Sequence, residues 1–183
     1  MKNALPRLRV HLQLIDDGVA PVVARYAAHI QCRAGCSECC HQTFRVAEIE
    51  GALLRQGLAQ ATPETRADIV ARARTWSPDS RSPCPVLSSA GHCRPYEHRP
   101  RICRKYGIPL WHPDRPDEVT TCDLNFRGVA DIDPELVLDP QAVWAQDRIR
   151  LRDELALGKA QPVPIAEYLT QELTQQDTPS CIE

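Results

Sequence analysis

Aromatic side chains are scarce in this chain. Phe44, Phe126, four Tyr and three Trp are all it has in 183 residues, and it holds a single Met. A core so lean in rings would gain from cross-links that stabilise without apolar area. Long apolar runs are missing too. Nowhere do about 18 consecutive apolar residues occur, which a membrane-spanning helix would need. The opening stretch, MKNALPRLRVHLQLIDDGVA, has scattered basic residues and puts Asp16 and Asp17 where a secretory leader would be apolar. The expectation is a cytoplasmic protein with no membrane partner. An excess of one charge is lacking as well: Lys and Arg number 22 against 24 Asp and Glu, for a formal charge of −2. That balance argues against a nucleic-acid partner. There is no Walker loop, no G-x-G-x-x-G, no H-E-x-x-H and no G-x-S-x-G, so the commonest phosphate, dinucleotide, zinc-protease and serine-hydrolase devices are excluded. Internal repeats and low-complexity tracts are absent.

Cysteine, by contrast, is abundant. Cys32-x3-Cys36-x2-Cys39-Cys40 packs four thiols into nine residues, and Cys84, Cys93, Cys103 and Cys122 follow. The ninth, Cys181, lies in the polar tail TQQDTPSCIE and reads as a bystander. Under reducing conditions thiols at such spacings serve metal or redox chemistry, and metal thiolate outranks disulfide. The plainer alternative makes Cys36, Cys39 and Cys40 small core hydrophobes. As thiolates, the eight would carry eight negative charges for a metal to offset.

Helix geometry limits how the first four can act. At about 100° per residue all four fall within roughly a 100° arc, yet Cys32 and Cys40 would stand about 12 Å apart along the axis. Sulfurs on one tetrahedral zinc sit only about 3.8 Å apart. Either Gly35 breaks the helix and the segment folds around a centre, or the thiols serve two centres. The neighbours Cys39 and Cys40 favour two, or one centre plus a supporting thiol, because adjacent side chains point apart on helix and strand alike.

Soft thiolates suit zinc or iron, the latter including a 4Fe-4S cluster, and Cu(I) is compatible. His41, His92 and His112 stand beside or near cysteines and could replace a thiolate. Arg94, His98, Arg99, Arg101, Arg104 and Lys105 surround Cys93 and Cys103, where cations would favour thiolate. Of these, Arg99 and Arg104 are the candidates for holding an anion or substrate carboxylate. On a short helix Arg99 would share the face of Cys103, with Arg104 turned about 100° away.

The expected fold is mostly α: a small helical domain with an irregular, proline-rich, cysteine-pinned middle containing a short β-hairpin. Leu5, Leu8, Leu12 and Ile15 recur at helical steps, then Val22, Val23, Tyr26, Ala27 and Ile30, then Val46 to Leu58. Thr62-Pro63-Glu64 reads as the capped start of a helix carrying Ile69, Val70, Ala73 and Trp76. Ser77 to Pro116 holds eight prolines, too many for long helices. Cys84 to Cys93 fits a hairpin turning at Ser88–Gly91, and Arg99 to Tyr106 a short helix stopped by Gly107. Helix returns over Pro140 to Leu157 and Ile165 to Leu173. One domain is expected over 1–183, with its metal-binding core at 30–125 and a C-terminal helical segment at 126–183.

Together these residues resemble the CxxCxxCC or YkgJ-type cysteine-cluster family. The shared elements are Cys32, Cys36, Cys39 and Cys40, then Cys84-Pro-Val-Leu, Gly91-His-Cys93-Arg-Pro-Tyr96-Glu, and Arg99-Pro-Arg-Ile-Cys103-Arg-Lys-Tyr106. The resemblance implies a zinc- or iron-chelating centre with Cys32, Cys36, Cys39, Cys40, Cys84, Cys93, Cys103 and Cys122 as ligands. A narrower similarity, in the cysteines and the Arg99-Pro100/Cys103-Arg104 segment, links the chain to flagellin lysine N-methylases. That would imply an iron–sulfur enzyme acting with S-adenosylmethionine. The leading expectation is a cytoplasmic metal-binding protein whose partners are a metal ion or cluster and a small anion or protein. The alternatives are that enzyme, marked by a vacant metal position, and a structural zinc module, marked by saturated sites.

Overall fold

The computed structural model describes residues 4–154 and 161–175. Six helices carry the fold: α1 Ala4–Arg25, α2 Glu48–Leu58, α3 Pro63–Thr75, α4 Arg101–Lys105, α5 Val143–Glu154 and α6 Ile165–Gln175. Four short strands accompany them: β1 Arg45–Val46, β2 Leu110–His112, β3 Arg115–Thr120 and β4 Val163–Pro164. None of the described helices is long and apolar enough to cross a membrane. The chain folds as two compact units, each assembled from two segments. One takes the described residues within Met1–Cys39 and Arg101–Lys159, the other those within Cys40–Pro100 and Ala160–Glu183.

In the first unit, α1 packs against α4 and α5. Its buried Leu8, Leu12, Ile15 and Val22 repeat at helical intervals, and α5 contributes Trp144 and Leu151. Gly18 admits the indole: a Cβ there would lie 3.1 Å from Trp144 Cδ1. The first periodic run and the start of the second, Val22 and Val23, are one helix that continues through Pro21; Tyr26, Ala27 and Ile30, expected on the second run, lie past its end, Ala27 in a 3-10 turn. A proline inside a helix forfeits only its own hydrogen bond when packing on both sides holds the register. At the C-terminal end of α1, Val22 forms an apolar cluster with Tyr26, Ile108 and Phe126, with Tyr26 and Phe126 edge to face at 5.3 Å.

A polar knot joins α1 to α5. Arg7 forks onto Asp147 at 2.7 and 3.1 Å and reaches Glu154 at 2.6 Å, while His11 Nδ1 lies 2.8 Å from Asp147 Oδ2. Burial pushes the His11 pKa down, outweighing the upward pull of Asp147. For Asp147 burial pushes up, but the hydrogen bonds from Arg7 and His11 win and hold it below its ordinary value. His11 is therefore neutral, donating Nδ1–H to Asp147 and keeping a bare, buried Nε2 with no partner among the described residues. Both shifts act in one direction. The unfolded chain protonates its histidine near pH 6.5 while the folded chain resists, so acidification favours unfolding. The contribution of Asp147 is complete above the ordinary carboxylate pKa and is lost as pH falls through its lowered native one. Urea unfolding should thus show stability dropping from pH 7 to 5.5, with a shallower slope in His11→Gln. An unchanged slope in that variant would assign the acid sensitivity elsewhere.

In the second unit, α6 packs on α3 and α2. Leu53, Leu54, Leu58, Ile69 and Leu169 are all but fully buried there. Thr62 caps α3 by accepting from Thr65 N at 3.3 Å, with Pro63 at the first helical position, as the sequence suggests. The strands β1 and β4 pair antiparallel, Arg45 opposite Pro164 and Val46 opposite Val163. Gly51 on α2 lies against the Tyr168 ring of α6: an added Cβ would come within 2.4 Å of it.

The proline-rich middle departs from expectation in detail. Cys84 to Cys93 turns at Ser88–Gly91 as expected, with Gly91 N bonded to Ser88 O at 3.0 Å, and its arms pair antiparallel through the single bridge Leu87–Cys93, too short to form strands. The two-stranded hairpin is β2–β3, where Trp111 faces Val119. Those residues suit a pleated surface, whereas Pro85 and the small residues around Ser88 give a ladder little to pair. At the C-terminal side α5 occupies Val143–Glu154, and Leu157, expected on the same helix, lies outside the described residues.

Candidate metal centre

Residues 31–41 are not a helix. Gly35 takes φ +88, a conformation that an L side chain would strain, and Cys36 N bonds Arg33 O at 2.9 Å to close a tight turn. One 3-10 turn, Glu38–His41, then carries Cys39 and Cys40. No residue in this stretch is buried, so apolar packing does not hold it.

Five thiols belong to the first unit: Cys32, Cys36, Cys39, Cys103 and Cys122. Cys32 is exposed as a residue, yet its sulfur meets the buried Asn125, whose Nδ2 lies 3.4 Å away. Loss of water around that sulfur raises its pKa. The Asn125 hydrogen bond works against this, and the nearby Cys36, Cys122 and Cys39 thiols add to it. The Tyr106 hydroxyl is likewise raised, by burial first and then by Cys122 and Cys39. Cys36, Cys122 and Cys39 thus each lie near enough to Cys32 for their charge to bear on it. Asn125 organises their surroundings: its Oδ1 accepts from Gln31 N at 2.9 Å and its Nδ2 also donates to Gly107 O at 2.9 Å. Gly107, the expected helix stop, has φ +88 and allows close approach, since a Cβ there would lie 2.8 Å from Cys122 Cβ.

Cys40, Cys84 and Cys93 belong to the second unit. Cys84 N donates to Cys40 O at 2.7 Å, and the turn ending in the Leu87–Cys93 bridge brings Cys93 back toward Cys84. The boundary between the units falls between Cys39 and Cys40, the neighbours whose side chains geometry says should part. All eight described cysteines are thiols rather than disulfide halves, and Cys181 lies outside the described residues. Among the described residues no three Cys, His, Asp or Glu side chains already converge at metal-bonding geometry. The donors nonetheless fit a soft cation, being reduced sulfurs grouped on short loops with hydrogen-bond support.

Two of the three candidate histidines have ring contacts elsewhere, and the bond of the third is from its main chain. His41 Nδ1 donates to Arg81 O at 3.0 Å, and His112 Nδ1 lies 3.2 Å from an Asp114 carboxylate oxygen. His92 N donates to Ser88 Oγ at 3.1 Å in the Cys84–Cys93 turn. Arg104 pairs with Asp16 of α1. Arg99 stacks on Tyr96, its Cζ 3.5 Å from the ring centroid. It is not on the helix of Cys103, because α4 begins at Arg101 and Arg99 is extended, as the residue before a proline prefers. Lys105, at the end of α4, is lowered to about 8 by burial and by the cations Arg101 and Arg148.

Residues 31–123 match the CxxCxxCC family, described as "Putative zinc- or iron-chelating domain". The chain belongs to that family. No curated protein and no solved structure matches it. The CxxCxxCC span begins one residue before Cys32 and ends one after Cys122, so it takes in all eight grouped thiols and leaves Cys181 outside. Chelation of zinc or iron through a cysteine-cluster domain is what membership supports. Asn125, which sequence reading missed, falls just beyond the span. Its only sequence signal is an amide three residues after a ligand-type cysteine.

Proposed function

We propose that this CxxCxxCC protein holds zinc or iron through two thiol sets, one per unit. Cys32, Cys36, Cys39 and Cys122 form the first set, with Cys103 joining from α4, and Cys40, Cys84 and Cys93 form the second. The observation that carries this reading is the nearness of Cys36, Cys39 and Cys122, all inside the matched span, to Cys32, whose sulfur Asn125 supports with a hydrogen bond. Four thiolates suit tetrahedral zinc or a 4Fe-4S cluster equally by donor type, and a hydrogen bond to a ligand sulfur is an ordinary support for either. Arg99 and Arg104 act in this reading as cations that offset thiolate charge and can receive an anionic ligand.

The test is elemental analysis of anaerobically purified protein, with its absorption spectrum. A broad visible band with iron and acid-labile sulfide identifies the cluster; colourless protein with stoichiometric zinc identifies the ion. Neither metal above trace would overturn the reading. Substitutions define the ligands: Cys36→Ser and Cys103→Ser should lower metal content, whereas Cys181→Ser should retain it. Loss of metal from Cys181→Ser would show the ligand set to be wrong. Arg99→Ala should weaken metal retention against a competing chelator. A wild-type result would make that residue a surface charge.

A further inference from the structure

Cys36 stands in the wall of a cleft of about 650 Å³ in the first unit. The other walls come from the 3-10 turn Ala27–His29 and the segment around Leu124 and Arg127. Two arginines, Arg33 and Arg127, line the cleft against one carboxylate, Glu38. Both arginines are exposed, and neither meets a carboxylate among the described residues. Arg33 bonds the neutral Gln31 Oε1 at 2.7 Å, and Arg127 Nε donates to the main-chain oxygen of Asp123 at 2.7 Å. Each keeps guanidinium donors without a protein acceptor among the described residues.

The backbone that presents these groups is held in unusual conformations. The left-handed Gly35 turn sets Arg33 and Cys36 on the same loop. Phe126 is left-handed as well, at φ +58, which is costly for a bulky residue. Its N–H donates to His29 O at 2.8 Å, and His29 Nδ1 donates to Arg127 O at 3.2 Å. Within three residues the chain thus places Asn125 at the Cys32 sulfur and Arg127 in the cleft.

A thiolate centre attracts a bare cation but repels one that arrives or leaves among carboxylates. Arginines at the mouth counter that repulsion. Exposed cations act on encounter more than on final affinity, so their exposure suits exchange. We propose that this cleft is where the metal of the thiol centre is exchanged, with a small polycarboxylate docked on Arg33 and Arg127 as the other party. The proposal rests on the reading of the thiols as metal ligands. In release, the bond from Cys36 sulfur to the metal breaks, a carboxylate oxygen of the docked molecule takes its place, and the freed sulfur picks up a proton from solvent. Loading reverses each step, and no electron is transferred. Guanidinium forks match carboxylates in shape and charge, and the volume falls within the range of small-ligand sites, about 300–1,000 Å³.

The test is the rate of metal release from the purified holoprotein, with increasing nitrilotriacetate and, separately, with the neutral chelator terpyridine. The nitrilotriacetate rate should level off at high concentration, because the anion docks before transfer. The terpyridine rate should rise in proportion. Arg33→Gln and Arg127→Gln should each slow release by dilute nitrilotriacetate roughly tenfold, the loss of one charge-assisted contact. Added salt should slow that rate and spare the other. Arg150→Gln removes an exposed cation on α5 outside the cleft and should match wild type. Circular dichroism checks the fold of each variant, and either cleft arginine suffices if the other proves structural. Proportional rates with both chelators would overturn the proposal. So would unchanged rates in both arginine variants, equal slowing of both chelators, or a loss in Arg150→Gln as large as theirs. Protein that holds neither zinc nor iron would overturn the metal reading and the exchange site with it. Firmly held metal released without regard to chelator charge would overturn the exchange site alone.

Discussion

Stripping the bound metal with a strong chelator should lower the thermal midpoint by about 10 °C or more, equivalent to several kcal/mol. The reason lies in residues 31–41. That stretch carries four of the thiols, buries no residue and is held by a few turn hydrogen bonds, such as Cys36 N to Arg33 O. Its order must come from elsewhere, and bonds from Cys32, Cys36 and Cys39 to a metal shared with Cys122 would supply it. Metal that binds only the folded thiol arrangement adds its binding free energy to stability. The measurement is a melt before and after chelation, with metal content verified in both. Identical melts with verified removal would leave the loop ordered without metal and would contradict a stabilising centre.

Gly51→Ala should destabilise by about 3 kcal/mol in urea unfolding, the upper end of the usual cost of overpacking. In an ordinary exposed helix the same change would be favourable by about 1 kcal/mol, because alanine is the better helix former. Here three Tyr168 ring atoms lie 2.4, 2.4 and 2.5 Å from the new Cβ, and the ring is buried with little room to withdraw. The sign should therefore reverse once the ring is removed. In a Tyr168→Ala background, already costly in itself, adding Gly51→Ala should stabilise. If the double variant loses the full sum of the two single effects, the contact is not what makes Gly51 necessary.

The helices were legible because apolar periodicity and capping chemistry are local. Thr62-Pro63 states its role within a few residues, and the Leu8, Leu12, Ile15, Val22 stripe declares a buried face. That the stripe runs through Pro21 was less legible, since tertiary packing decides whether one lost hydrogen bond ends a helix. The unit boundary between Cys39 and Cys40 is set by long-range contacts and is not legible in the sequence. Nor is the role of Asn125: it acts through Gln31 and Gly107, residues 94 and 18 positions away, and only chain closure brings them together. The turn at Ser88–Gly91 is legible from its residues, while the shortness of its paired arms follows from the lack of strand-forming side chains around it. Arg99 lies outside α4, against the expectation from helical spacing, because Pro100 holds the residue before it in the extended region.

Each unit is stitched from two distant segments, and this sets a clock on its synthesis. Arg7 meets Asp147 only after 140 further residues have been added, and α3 must wait for α6. At typical elongation rates that delay is on the order of ten seconds. During it, the thiols from Cys32 onward leave the ribosome with neither a finished fold nor a finished ligand set around them. Thiols waiting in this way are open to oxidation, and a metal that needs Cys122 beside Cys32 would be captured only late, near release.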